Sequence, residues 1–128
     1  MFRLAALCLA LAAPAFAAEG EYIFDTLKKH PAYKAAYARM LAGQQDVPDW
    51  ARTARAVANP AAVINVGGVE YEFHNLCKPH DCGDNSMEVM FGPGGTAAWG
   101  LLQERGAKRF FGNPDAPKRI ALEGALEG

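Results

Sequence analysis

The chain has 128 residues, of which 51% are hydrophobic and 21% are charged, as in ordinary globular proteins. Its 13 basic residues nearly balance 14 acidic ones, giving a formal net charge of -1. The sequence also has no basic patch that points to nucleic acid and no long Lys/Arg cluster that points to a membrane surface. The length predicts one small domain with one modest core.

The N-terminus has the three parts of a secretory signal peptide. Arg3 supplies a basic start, and Leu4–Leu11 is an apolar run too short to span a bilayer. Pro14-Ala15-Phe16-Ala17 then closes the run with small residues around Phe16. This pattern predicts a signal peptide that is cut after Ala17 or Ala18.

The predicted cut divides the chain into a signal peptide, residues 1–17, and a single domain, residues 18–128. It removes Cys8 and leaves Cys77 and Cys82. An even number of cysteines in an oxidising compartment predicts a disulfide between these two residues.

Helical patterns dominate the first half of the domain. Apolar residues at i, i+4, i+7 and i+8 predict one buried helical face, formed by Tyr33, Tyr37, Met40 and Leu41. Pro31 suits the first turn of that helix. A short helical turn is predicted at Tyr22–Leu27, and a second short helix at Trp50–Val57.

From Val63 onward the sequence alternates as β-strands do. Val63–Val66 and Val69–His74, joined by Gly67-Gly68, predict a β-hairpin. Within it, alternation places Val69, Tyr71 and Phe73 towards the core and Glu70, Glu72 and His74 towards solvent.

Three further strands are expected at Ser86–Phe91, Ala97–Leu102 and Lys108–Phe111. Asn113-Pro114-Asp115 predicts the start of a last helix that runs through Leu126. The expected fold class is α+β. A single domain would contain an antiparallel sheet of about five strands, flanked by N- and C-terminal helices.

The most informative segment is Cys77-Lys78-Pro79-His80-Asp81-Cys82, which lies on a turn between two strands. A disulfide closing so short a loop stabilises the fold by about 2 kcal/mol in the chain-entropy model. The loop would be rigid before it meets a partner, and Pro79 restricts it further.

His80, near the tip of this loop, has a ring that can donate, accept or take up a proton near neutral pH. It could therefore bridge two carboxylates, such as the pair about 5 Å apart in retaining glycosidases. Alternatively, the ring only satisfies backbone groups of its own turn.

Two other kinds of site compete with this interpretation. A zinc or copper site could use the set His74, Cys77, His80 and Cys82, although the spacing is cramped and export favours oxidised cysteines. An enzyme acting on cell-wall glycans could use the acids Glu70, Glu72, Asp81 or Asp84. The chain has no G-x-S-x-G, H-E-x-x-H or Gly-rich phosphate motif, so neither an enzyme nor a bound cofactor is predicted.

The six-residue loop resembles the signature loop of the Ivy family, the secreted bacterial inhibitors of vertebrate (C-type) lysozyme. The likeness continues through Asp84-Asn85, Met87–Phe91 and Phe111-Gly112-Asn113-Pro114. It covers most of Val47 to Leu126.

This resemblance implies a periplasmic protein that inserts the loop into the active-site cleft of C-type lysozyme. His80 would contact the catalytic acid and its partner carboxylate, Asp81 and Lys78 would flank it, and Cys77 and Cys82 would clamp the loop. It leaves open a homodimer and a role in restraining the cell's own lytic transglycosylases.

C-type lysozymes are generally basic. The acids Asp81, Asp84 and Glu88, expected around the loop, favour such a partner.

Overall fold

The computed structural model describes residues 16–128, so nearly all of the predicted signal peptide, including Cys8, lies outside the described residues. Helices come first, then the strands, then a last helix. Their bounds are α1 (Ile23–Lys29), α2 (Pro31–Leu41), α3 (Asp49–Thr53), β1 (Val57–Ala58), β2 (Ala62–Val66), β3 (Val69–Cys77), β4 (Asn85–Phe91), β5 (Ala98–Glu104), β6 (Ala107–Phe111) and α4 (Ala116–Glu127).

All strand pairs in the sheet are antiparallel. The order is β1-β3-β4-β5-β6, and β2 also pairs with β3. Because β2 pairs with the first half of β3 and β1 with its last two residues, both lie along the same edge of that strand. The predicted α+β fold is confirmed, with the two-residue β1 added to the five strands expected.

The predicted hairpin is β2–β3, and its turn is Gly67-Gly68. Both glycines have positive φ, 62° and 89°, and a two-residue hairpin turn of this kind needs such values at both positions. The turn sets the register of β3, so Cys77 comes at the far end of that strand.

Helix α2 presents the predicted apolar face, and Tyr33, Tyr37, Met40 and Leu41 are all buried. Pro31 is its first residue. The last helix, α4, begins one residue after Asp115, whose side chain accepts a hydrogen bond from the Lys118 backbone N–H at 3.1 Å. This is the N-cap that the sequence predicted.

The helix predicted at Trp50–Val57 is wrong in its second half. Helix α3 ends at Thr53, and Ala54 follows with a left-handed backbone, φ 58°. Val57 then pairs with Cys77 as part of β1. The edge of β3 offers backbone hydrogen-bond partners that local helix propensity does not anticipate.

Helices cover both faces of the sheet. The larger core lies under the N-terminal helices and includes Tyr33, Leu76 and Phe91, and the smaller core includes Phe73, Met90, Leu101 and Leu122 of α4. The prediction that Glu72 and His74 face solvent is therefore wrong: they are only 1% and 0% exposed. Alternation correctly separated the two faces of β3, but the second face is buried as well. Val69, expected towards the core, is 42% exposed at the start of the strand.

Among the described residues, no helix has the length and apolar character needed to cross a membrane.

Candidate functional site

The loop that joins β3 and β4 is closed at its base by a disulfide and by a backbone hydrogen bond. Cys77, the last residue of β3, and Cys82 form the predicted disulfide, with Cα atoms 4.9 Å apart. Beneath it, the Lys78 N–H donates to the Asn85 carbonyl at 3.0 Å, which continues the ladder into β4. The covalent and hydrogen-bonded closures together fix where the intervening residues project.

His80 lies at the apex of a tight turn inside this loop. The Asp81 N–H donates to the Lys78 carbonyl at 3.0 Å, which closes a four-residue turn with Pro79 and His80 at its centre. His80 is exposed and has φ 68°. Proline followed by positive φ is the pattern of a type II turn, in which glycine or asparagine usually takes the second place.

A histidine in this conformation is less favourable than glycine, because its Cβ crowds the backbone. Such residues persist where the surrounding structure fixes them, and they concentrate at functional sites. Here the disulfide and the turn hydrogen bond hold His80 in place.

Asp81 has a structural role in the loop. Its carboxylate accepts a hydrogen bond from the Asn85 side-chain amide at 2.9 Å, and its carbonyl accepts one from the Asn85 N–H at 3.2 Å. Asn85 is buried and Asp81 is half-buried, so the pair anchors the C-terminal half of the loop.

The neighbouring turn supports the same end of the sheet. The Arg105 N–H donates to the Asp84 carbonyl at 2.7 Å, which links the β5–β6 turn to the end of the loop.

One side of the loop adjoins an apolar shelf, by which we mean Phe24, Val57 and Pro79. These residues line one shallow concavity together with Ala54, Arg55 and Ala56. Val57 is 52% exposed, and the Arg55 guanidinium lies over the Phe24 ring at 5.5 Å. Nothing in the sequence distinguished Phe24 and Val57 from core residues, since only the packing of α1 and β1 leaves them uncovered.

A second groove beside the loop is lined by Glu88, Asn75, Cys82 and Gln103 among others. Glu88 is buried and accepts a hydrogen bond from the Asn75 side chain at 3.0 Å. Burial raises the pKa of the Glu88 carboxyl to about 7, although the Asn75 hydrogen bond opposes the shift. The expectation that Glu88 forms part of an exposed acidic surface is wrong, which leaves Asp81 and Asp84.

The alternative metal site is not assembled. Cys77 and Cys82 are joined to each other, so neither offers a thiolate. His74 is buried in the core beneath the N-terminal helices, with its ring against Phe91 at 5.5 Å, whereas His80 is exposed on the loop. Residues 16–128 contain no cluster of three or more His, Cys, Asp and Glu side chains able to hold a metal ion.

The acids considered for catalysis are also separated. Glu70 is exposed near one end of β3, and Asp84 is exposed in the loop at the other end, where the Asp81 carboxylate is bonded to Asn85. Glu72 is buried and accepts a hydrogen bond from the Tyr33 hydroxyl. These carboxyls do not converge on one cleft, as a general acid and its partner must.

Comparison with known proteins connects this geometry to a family. Residues 32–123 match the profile of the family described as inhibitor of vertebrate lysozyme (Ivy). A protein of that name from Pseudomonas aeruginosa is 40% identical over 129 aligned residues, covering 90% of this chain and 84% of that protein.

Two other relatives match over a shorter range. The inhibitor of vertebrate lysozyme of Escherichia coli K12 is 31% identical over 85 residues, 66% of this chain and 53% of that protein. An uncharacterised protein of Yersinia pestis is 40% identical over 75 residues, 59% of this chain and 49% of that protein. The profile match and the Pseudomonas relative both extend through the disulfide-closed turn, and the chain belongs to the Ivy family of vertebrate lysozyme inhibitors.

Proposed function

We propose that this chain is a periplasmic, non-enzymatic inhibitor of C-type lysozyme, which inserts the Cys77–Cys82 loop into the active-site cleft. The observation that carries the proposal is the exposed ring of His80 at the apex of a covalently closed turn. Membership of the Ivy family supplies the class of target.

The chemistry of the target suits an imidazole. Retaining glycosidases hold two carboxyl groups about 5 Å apart across the bond that they cleave. A neutral imidazole has one donor and one acceptor, and a protonated one has two donors. The ring of His80 can therefore contact both carboxyl groups and fill the space that substrate and water require.

The loop is suited to bind without reorganisation. Its ends are joined by the disulfide, and hydrogen bonds from Lys78, Asp81 and Asn85 fix the backbone between them. A segment that is already ordered loses less conformational freedom on binding, so more of the contact energy appears as affinity.

The loop by itself is too small for a stable interface, which typically buries about 800 Å² on each partner. The adjoining apolar shelf supplies surface of the right kind, because Val57 and Phe24 remain exposed beside Pro79. We therefore include Phe24 and Val57 in the proposed contact surface, with the loop at its centre.

Export belongs to the same proposal. The signal peptide predicted at residues 1–17 would deliver the chain to the periplasm. The Cys77–Cys82 disulfide fits an oxidising compartment of that type.

The decisive experiment is lysis of peptidoglycan by hen-type lysozyme in increasing concentrations of the purified protein, before and after reduction of the disulfide. We expect inhibition that saturates at equimolar amounts and weakens on reduction. Undiminished lysis at a large excess of oxidised protein would refute the proposal. Release of labelled fragments by the protein alone would show an enzyme instead. The same assay with a lytic transglycosylase tests whether that class is a second target.

A further inference from the structure

The backbone nitrogen of Ala18 lies in the protein interior. Ala18 is 0% exposed, and its N–H donates to Glu72 Oε2 at 2.9 Å. The bond joins residues 54 positions apart and brings the start of the described chain against the middle of β3.

Glu72 is a buried carboxyl group with two neutral donors. The Tyr33 hydroxyl donates to Oε1, and the Ala18 N–H donates to Oε2. None of the ion pairs among residues 16–128 includes Glu72, and the side chains of Lys29 and His30 contact Glu21 instead. A buried carboxylate without a cationic partner is costly, so this position would gain from a positive charge.

Several backbone bonds hold Ala18 at this place. The Gly20 N–H donates to the Ala61 carbonyl at 2.9 Å, and the Ala61 N–H donates to the Glu21 carbonyl at 2.8 Å. The Glu21 N–H donates to the Ala18 carbonyl at 3.0 Å. The segment that follows Ala18 is thus tied to the sheet edge by its own backbone bonds. One further bond, from the Glu19 N–H to the Phe16 carbonyl at 3.1 Å, spans the predicted cut.

We propose that export of the chain ends with hydrolysis of the Ala17–Ala18 peptide bond, and that the α-ammonium released at Ala18 forms a buried ion pair with Glu72. A signal peptidase would act on the unfolded chain. Water would add its hydroxyl to the Ala17 carbonyl carbon and a proton to the Ala18 nitrogen as the C–N bond breaks. The nitrogen then takes up a further proton. Its positive charge would supply the cationic partner that Glu72 does not have among residues 16–128.

The buried contact between the Ala18 nitrogen and Glu72 also distinguishes between the two predicted cleavage sites, after Ala17 and after Ala18. A cut after Ala17 places the small residues Ala15 and Ala17 in the A-x-A pattern, whereas a cut after Ala18 places Phe16 at the outer small position. The later cut would also remove the buried nitrogen and begin the chain at the exposed Glu19. Both the sequence pattern and the Glu72 contact select Ala18 as the first residue.

The inference rests on the proposed export and is independent of lysozyme binding. The first test expresses the full chain with its own leader in a Gram-negative host and measures the intact mass of the periplasmic product. A mass that begins at Ala18 supports the inference, and one that begins at Glu19 or retains the leader overturns it. Lysozyme inhibition measured on the same sample reports separately on the proposed function.

The second test is a double-mutant cycle on the free energy of unfolding. One chain begins at Ala18, and its matched control carries one extra glycine in front, which keeps an N–H at Ala18 but moves the α-ammonium one residue away from Glu72. Each is made with Glu72 and with Glu72→Gln. We expect the free terminus to raise the folding constant about tenfold more with Glu72 than with glutamine, equal to about 1.4 kcal/mol. Coupling below about twofold would overturn the ion pair.

A third measurement remains informative if Glu72→Gln folds poorly. Titration of the ¹⁵N-labelled α-ammonium in the Ala18 chain should give a pKa above the ordinary range of about 7.7–8.0. The extra stability of the Ala18 chain over the glycine-extended control is then full below that range and is lost as pH rises through the higher folded-state value. An α-amino pKa within the ordinary range contradicts the buried pair.

Discussion

Two histidines on one hairpin show how position decides what the same side chain does. His74 lies within β3 and His80 in the loop that follows, with Cys77 between them. His74 is buried against Phe91, and neither ring nitrogen has a hydrogen-bond partner among the described residues. His80 is exposed on a turn with positive φ. The strand buries its histidine in the core, whereas the loop leaves its histidine exposed.

The largest expected effect comes from removing the exposed ring. We expect His80→Ala to weaken lysozyme inhibition by about 2–4 kcal/mol, as at an interface hot spot. This corresponds to an inhibition constant about 30- to 1,000-fold higher. Titration of lysozyme activity measures the change.

A second substitution separates the ring from the turn. His80→Asn keeps a residue that tolerates positive φ but removes the imidazole. If the ring carries the binding energy, His80→Asn loses inhibition as His80→Ala does. Inhibition at the wild-type level would show that the shape of the turn matters instead. Glu70→Gln, exposed at the other end of β3, is the control and should leave inhibition unchanged.

The next effect concerns the buried member of the pair. Burial lowers the pKa of His74 from 6.5 to about 4, opposed by the negative charge of Glu21. The unfolded chain therefore binds a proton that the folded protein does not. His74 lowers stability as pH falls from about 6.5 towards 4, and has no such effect above that range.

We expect His74→Leu to remove this loss. Relative to the wild type, the variant should gain about 2–3 kcal/mol in free energy of unfolding between pH 7.5 and pH 4.5. Urea unfolding at the two pH values measures the difference. Lysozyme inhibition should be retained. Loss of inhibition in a folded His74→Leu variant would contradict the assignment of His74 to the core alone.

Removing the Cys77–Cys82 disulfide tests what covalent closure of the loop contributes to stability and to binding. Cys77→Ala with Cys82→Ala should lower the free energy of unfolding by about 2 kcal/mol, since the cross-link closes only a short loop. Lysozyme binding should also weaken, because the loop must then lose conformational freedom when it binds. Calorimetry and the inhibition assay report the two effects. Equal inhibition by both forms would refute the role of rigidity.

The smallest effect is expected at the apolar shelf. Val57→Asp places a charge in the proposed interface, where charged residues are disfavoured, and should weaken inhibition by about 1 kcal/mol. Val69→Asp is a matched control, because Val69 is 42% exposed and lies at the end of β3 away from the loop. If the two variants inhibit equally well, the shelf is not part of the contact surface.

Local sequence patterns were sufficient wherever short-range geometry controls the structure. The buried face of α2, the Gly67-Gly68 turn and the Asp115 cap all follow from residue spacing or from backbone conformations that few residues adopt. The Cys77–Cys82 pairing was also predicted, since only two cysteines follow the signal segment. These features depend on neighbours a few residues apart.

Features that depend on distant residues were missed. Alternation along β3 correctly divided its side chains into two sets, but it could not show that helices cover both. Glu72 and His74 were therefore expected in solvent and are buried. Glu88 on β4, expected among the acids around the loop, is buried too. The shelf beside the loop was missed for the converse reason, since the apolar side chains of Phe24 and Val57 remain 40% and 52% exposed.

The sequence by itself determined the loop, its closure and the identity of its central residue, because a disulfide and a proline act over a few residues of chain. Only the tertiary structure decided which strand faces are buried, which carboxyl groups are desolvated, and that the Ala18 N–H is bonded to Glu72. Those outcomes depend on which surfaces pack together, and burial is a property of the whole fold.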